Sequence, residues 1–137
     1  MANPDKTTTT VPALYAAAAW NISGSLSAML APQLHYRLFD AIPAPDSPML
    51  RVYHNTLWSF VLVMGICYAV AAYEPLARKG VLLAGAIGKP VACLIWAIAF
   101  MQGIGSPMPL IGGLGDLLWA VYFVTLLRRM PTLAAAT

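Results

Sequence analysis

Apolar residues along this chain fall into four runs, and all but two of the charged side chains lie between or beyond them. The runs extend from Val11 to about Leu34, from Tyr53 to about Tyr73, from Val81 to Met101 and from Met108 to about Leu127. A helix rising about 1.5 Å per residue needs about 20 apolar residues to cross the hydrocarbon core, and each run has that length. The pattern predicts an all-α integral membrane four-helix bundle, with a single four-span domain over residues 11–129. Residues 1–10, polar and rich in threonine, read as a disordered tail lacking the apolar stretch of a cleavable signal, and residues 130–137 as a short C-terminal tail.

The first run opens on Pro12, tolerated in a first helical turn because its missing N–H would be unpaired there anyway. It carries two stripes of small residues: Ala19, Ser23, Ser27 and Ala31 on one side, and Ala17, Gly24 and Ala28 around Asn21 on another. Such stripes let helix backbones approach closely in lipid, which predicts a central position for this helix. In the second run Trp58, Val61, Gly65, Tyr68 and Ala72 recur at helical spacing and define one face. The connection from His35 to Arg51 is the longest, and Asp40, Pro43, Pro45, Asp46 and Pro48 exclude a span there. Within it, Tyr36, Leu38 and Phe39 suit either a short interfacial helix or an irregular loop. The polar turn from Glu74 to Gly80 makes the second and third runs antiparallel neighbours, and the turn from Gln102 to Pro107 carries no charge. Pro90 cannot donate to the Ala86 carbonyl, which predicts a kink and a freed backbone acceptor beside Lys89.

Composition agrees with the pattern: 60% of residues are hydrophobic and 9% charged, against about 45–50% and about 25% in soluble proteins. No soluble domain fits beside the four runs. The net charge of +3 comes from basic residues at the run ends, too dispersed for a nucleic-acid surface. Lys6, Arg78, Lys79, Arg128 and Arg129 fall on one side of the membrane against Arg37 and Arg51 on the other, so both termini are expected in the cytoplasm. Cys67 and Cys93 lie inside apolar runs without metal or redox spacing and read as small packing residues. Trp20, Trp58, Trp96 and Trp119 read as lipid-facing or core packing, and the glycines Gly112, Gly113 and Gly115 as close helix contact.

Two charges break the rule that runs are uncharged: Lys89 in the third and Asp116 in the fourth. From a turn centred near Gly105, Lys89 lies sixteen residues back and Asp116 eleven forward, an axial offset of roughly 7 Å that a lysine side chain spans. A charge at mid-depth is costly without a partner, so the two are expected to pair, with Asn21 at the same depth and Tyr68 nearby as orienting groups. The cluster Asn21, Tyr68, Lys89 and Asp116 reads equally as a proton-responsive or headgroup-binding site and as a structural pin that fixes helix register. His35 and His54 flank the long connection on one side of the membrane, where metal or haem ligation competes with plain interfacial hydrogen bonding. Hydrogen bonding is the reading adopted, and no metal site is assigned.

The order of features resembles a widespread group of small bacterial four-helix membrane proteins, DoxX-like in layout. The features are Trp20 and Asn21, Pro32, the run Gly65 to Tyr68 leading to Ala71, Ala72 and Pro75, then Gly85, Gly88 and Lys89, and finally Asp116 with Trp119. The resemblance covers most of Trp20 to Leu127 and departs at Gly115, where members often carry Asn. It implies the same fold, the bacterial cytoplasmic (inner) membrane as location, and the same Lys and Asp, and it brings no activity or cofactor. Three function classes remain open. The first is a non-enzymatic binding or accessory subunit for a protein partner, a second copy of itself or a lipid-like molecule. The others are a membrane enzyme or enzyme subunit acting on a lipid or quinone, and a small proton-coupled transporter.

Overall fold

The computed structural model describes residues 10–40 and 46–130. Most of both expected tails, together with Lys6, Pro43 and Pro45, lies outside the described residues. Every regular element within them is helical: α1 (Thr10–Leu30), the single turn α2 (Pro32–His35) continuing into a π-helical turn (Tyr36–Asp40), α3 (Pro48–Tyr73), α4 (Pro75–Met101) and α5 (Met108–Arg129). Three helices, α3, α4 and α5, are long and apolar enough to cross a membrane, and only 17% to 22% of their most apolar windows is buried. The rest faces outward through Phe60, Val63, Ile87, Leu94, Leu118 and Val121, an exterior suited to lipid and not to water. These are the features of a multi-pass membrane protein. The first helix has 21 residues, but Asn21, Ser23, Ser25 and Ser27 dilute its apolar content, so it is not among the three.

Local chemistry moves several helix ends away from where the apolar runs place them. The first helix stops at Leu30 and not near Leu34, because Pro32 cannot continue it and instead starts α2. The third begins at Pro48, five positions before the expected Tyr53, with Ser47 as N-cap accepting from Leu50 N at 3.4 Å. Arg78, Lys79 and Gly80, expected in a turn, are helical, since Pro75 opens α4 and Glu74 accepts from Leu76 N at 3.2 Å. Arg78 then reaches back to the Ala71 and Ala72 carbonyls at 2.9 and 3.0 Å, satisfying acceptors that the end of α3 leaves open. Pro90 lies inside α4, which runs on through it as one helix.

At the end of α4 the chain reverses through Gly103, at φ 74°, with Gly103 N bonded to Phe100 O and Ile104 N to Ala99 O, both at 2.9 Å. This is the paired closure that favours glycine just past a helix. Ser106 then ties the turn to the π-helical segment: its hydroxyl lies 2.6 Å from Leu38 O and 2.9 Å from Phe39 O, while Met108 N donates to it at 3.2 Å.

The first and third helices pack together, as do α4 and α5, and α3 against α4 joins the two pairs. Contacts such as Ala28 with His54 and Asn21 with Val61, or Cys93 with Gly113 and Lys89 with Asp116, run in opposite chain directions, so partners are antiparallel. The buried core occupies one end only: Leu14, Ala17 and Ala18 of α1, Tyr68, Ala71 and Ala72 of α3, Leu82 of α4, and Phe123 and Leu126 of α5. The inner small stripe of α1, with Ala17, Asn21 and Ala28, is buried as expected, but Ala19, Ser23 and Ser27 face outward. Toward the opposite end the α1–α3 pair and the α4–α5 pair part from each other and leave a cleft.

Candidate functional site

At the level where packing gives way to the cleft, α4 delivers Lys89 into the interior, its side chain 6% exposed. Its Nζ lies 2.6 Å from Asp116 Oδ1 of α5 and donates to Asn21 Oδ1 of α1 at 3.0 Å. Asn21 Nδ2 points at Val61 O across 3.5 Å, a long contact that orients the amide with its oxygen toward the ammonium. Tyr68 offers its ring face, with the ammonium 5.9 Å from the centroid, and makes no hydrogen bond to the pair among the described residues. Asn21, Lys89 and Asp116 are thus in direct contact, and Tyr68 borders them.

A fifth participant was read from sequence only as packing. Trp20 donates its indole N–H to the same Asp116 Oδ1 at 3.1 Å. Its ring lies so close to Gly115 that a Cβ there would sit 2.8 Å from Cζ2, which explains why α5 has no side chain at that position. The adjacency of Trp20 to Asn21 was the available signal, but a tryptophan one position round a helix can as readily face lipid. Gly65 plays the matching part on α3, where a Cβ would meet Ile22 Cγ1 at 2.7 Å and so push α1 and Asn21 away.

Above the pair the cleft has a volume of about 370 Å³, within the range of about 300–1,000 Å³ usual for small-molecule sites. All four long helices line it, with Trp20, Trp58 and Trp96 supplying aromatic walls, Phe39 standing at one end and Asp116 the charged group in the lining. Three tryptophans expected as packing therefore face a space, whereas Trp119 packs on Tyr122 and Phe123 with centroids 6.2 and 5.9 Å apart. The glycines of α5 divide in role. Gly113 sits against Cys93, where a Cβ would lie 3.3 Å from its Cα and Sγ, while Gly112 faces the cleft and a Cβ there meets nothing within 4 Å.

The structure also brings His35 and His54 together, with ring centroids 5.1 Å apart. His54 Nε2 lies 3.2 Å from Ala28 O, as interfacial hydrogen bonding predicts. His35 is different: it is buried, stacks on Phe39 at 4.4 Å and meets Trp58 edge-on at 4.8 Å, and neither ring nitrogen has a hydrogen-bond partner among the described residues. Burial first, and the neighbouring His54 second, push its pKa down to about 4 from 6.5. Among the described residues no group of three or more His, Cys, Asp or Glu is placed to hold a metal ion. Compared with protein-family models, curated proteins and solved structures, the chain matches none.

Proposed function

We propose that this is an integral membrane binding protein that takes a lipid-like molecule into the cleft above the Lys89–Asp116 pair. The observation that carries the reading is the cleft itself, about 370 Å³ with three tryptophan walls and one carboxylate in its lining. Such a lining, apolar with few placed polar groups, suits a ligand that leaves the bilayer sideways or from its surface. In this reading α1 is a fourth span of a four-helix bundle. Its serines return their hydroxyls to the helix, Ser23 to Trp20 O at 3.2 Å, Ser25 to Asn21 O at 2.7 Å and Ser27 to Gly24 O at 2.8 Å, which lowers their cost in lipid. The location in a bacterial cytoplasmic membrane, the cytoplasmic termini and the DoxX-like layout belong to the same proposal and rest on motif order and charge placement alone.

The test is extraction. Lipid-like molecules released by organic solvent from the purified wild-type protein are compared by mass spectrometry with those from Gly112→Leu, whose added side chain fills the cleft. A species retained by the wild type and depleted in a folded Gly112→Leu protein supports the reading. Identical extracts from both proteins overturn it.

A further inference from the structure

Both hydrogen bonds that reach Asp116 land on one oxygen: Lys89 Nζ at 2.6 Å and Trp20 Nε1 at 3.1 Å both meet Oδ1. Among the described residues none donates to Oδ2, although Asp116 lines the cleft and its side chain is 25% exposed. A carboxylate oxygen has room for two donors, and in apolar surroundings an acceptor without one is costly. The cleft therefore presents a placed acceptor at its floor, and a ligand that fits must bring the donor. Charge narrows the choice. Lys89 already balances Asp116, so a cationic ligand would set a second positive charge beside a buried ammonium, and an anion would face the carboxylate in a wall whose other polar side chains, Asn21 and Ser23, are uncharged. The walls narrow it further, because three indole rings, Trp20, Trp58 and Trp96, line the cleft and such a lining favours a ring over a flexible chain.

We infer that the occupant is a neutral ring-bearing alcohol or phenol, its hydroxyl donating to Asp116 Oδ2 and its apolar body lying against the three tryptophans. The inference rests on the binding role proposed above.

The probes are 1-naphthol, 1-methoxynaphthalene, which keeps the rings and loses the donor, and 1-naphthylmethylammonium, which adds a charge. Their affinities for the detergent-purified protein are measured by equilibrium dialysis, with partition into protein-free micelles subtracted. A hydrogen bond to a charged acceptor makes 1-naphthol at least about tenfold tighter than 1-methoxynaphthalene. Gly112→Leu weakens both by at least about tenfold, since it occupies the space they share. In the Lys89→Met, Asp116→Leu double variant the advantage of 1-naphthol disappears while 1-methoxynaphthalene still binds. Equal affinities in the wild type, a donor preference that survives in the double variant, or tightest binding by the ammonium would each overturn the inference. Failure of both neutral probes to bind the wild type would instead sink the binding role itself. Where the double variant does not fold, the infrared difference spectrum of the wild type decides. 1-Naphthol must shift a carboxylate band that 1-methoxynaphthalene leaves in place, and an unshifted band refutes the donor contact.

Discussion

Removing both members of the Lys89–Asp116 pair should cost much less than the sum of the two single losses, and the two single variants should differ. In Asp116→Leu the ammonium, 6% exposed on its side chain, keeps only Asn21 Oδ1 at 3.0 Å. A buried charge stripped of its partner costs about 3–5 kcal/mol, and this site, closed below by Tyr68 and Gly85, belongs to that range. In Lys89→Met the carboxylate, 25% exposed, keeps the Trp20 N–H at 3.1 Å and lies open to the cleft. Its cost should fall near the insertion penalty of a mid-depth charge, about 2.5 kcal/mol. The double variant carries no charge but leaves Asn21 Oδ1 and the Trp20 N–H without their partners, a loss of about 1–3 kcal/mol for each that cancels from the cycle, because Lys89→Met already strands the first and Asp116→Leu the second. The singles together then exceed the double by about 3 kcal/mol or more, which is the coupling of the pair. Reversible unfolding in mixed micelles with increasing denaturing detergent, followed by tryptophan fluorescence, gives all four stabilities. A double variant whose loss equals the sum of the singles to within about 0.5 kcal/mol would show that the charges do not hold each other.

Two glycines three residues apart on α4 should respond oppositely to alanine. Gly85→Ala drives a methyl into the Tyr68 hydroxyl and to 2.8 Å from the Phe123 ring, costing about 1–3 kcal/mol. Gly88→Ala meets nothing within 4 Å and should stabilise by up to about 1 kcal/mol through helix propensity; thermal unfolding of the two variants that gave the same sign would refute the packing assigned to Gly85. For His35, the pKa near 4 in the folded protein against 6.5 when exposed means that the unfolded state takes up the proton first as pH falls. Its contribution to stability is therefore complete above about pH 6.5 and lost as pH drops from there toward about 4, and His35→Phe, which preserves the stack on Phe39, should flatten that part of the melting profile. An unchanged slope in His35→Phe would assign the pH dependence to other groups. For topology, Ser47→Cys in a Cys67→Ala, Cys93→Ala background should react with an impermeant thiol reagent from outside the cell and Lys79→Cys only after lysis; the reverse result inverts the orientation.

Some of this arrangement was legible in the residues because it follows from necessity. A charge inside an apolar run needs a partner, and the short uncharged turn between α4 and α5 sets their register closely enough to bring Lys89 to Asp116. The face Trp58, Val61, Gly65, Tyr68 and Ala72 was equally readable, since in α3 its lower members pack into the core. Hydropathy failed at the helix ends, where Ser47, Glu74 and the prolines at 48 and 75 decide and apolar content does not. It failed also for like residues in unlike surroundings. Gly112 and Gly113 are adjacent glycines, yet one borders empty space and the other Cys93; Ala17 and Ala19 belong to similar small stripes, yet one is buried and the other faces out. Which of them meets a neighbour depends on how far the helices have separated at that level, a property of the assembled bundle and not of any window of sequence.

That separation also accounts for where the charges sit. At the packed end the helices are held by Leu14, Ala17, Ala71, Leu82 and Phe123, all fully buried, and an ion pair there would have no polar surroundings to soften its desolvation. In the open half the walls stand apart and a side chain would have to cross the cleft to find a partner. The pair lies at the boundary, where a lysine can reach from α4 to α1 and α5 together, and its two members differ accordingly, Lys89 at 6% exposure below and Asp116 at 25% on the cleft floor. A pin for helix register requires no such asymmetry, since it is satisfied when both charges are enclosed. A binding floor does require it: one charge must be buried to fix the other, and the other must keep an oxygen turned toward whatever enters.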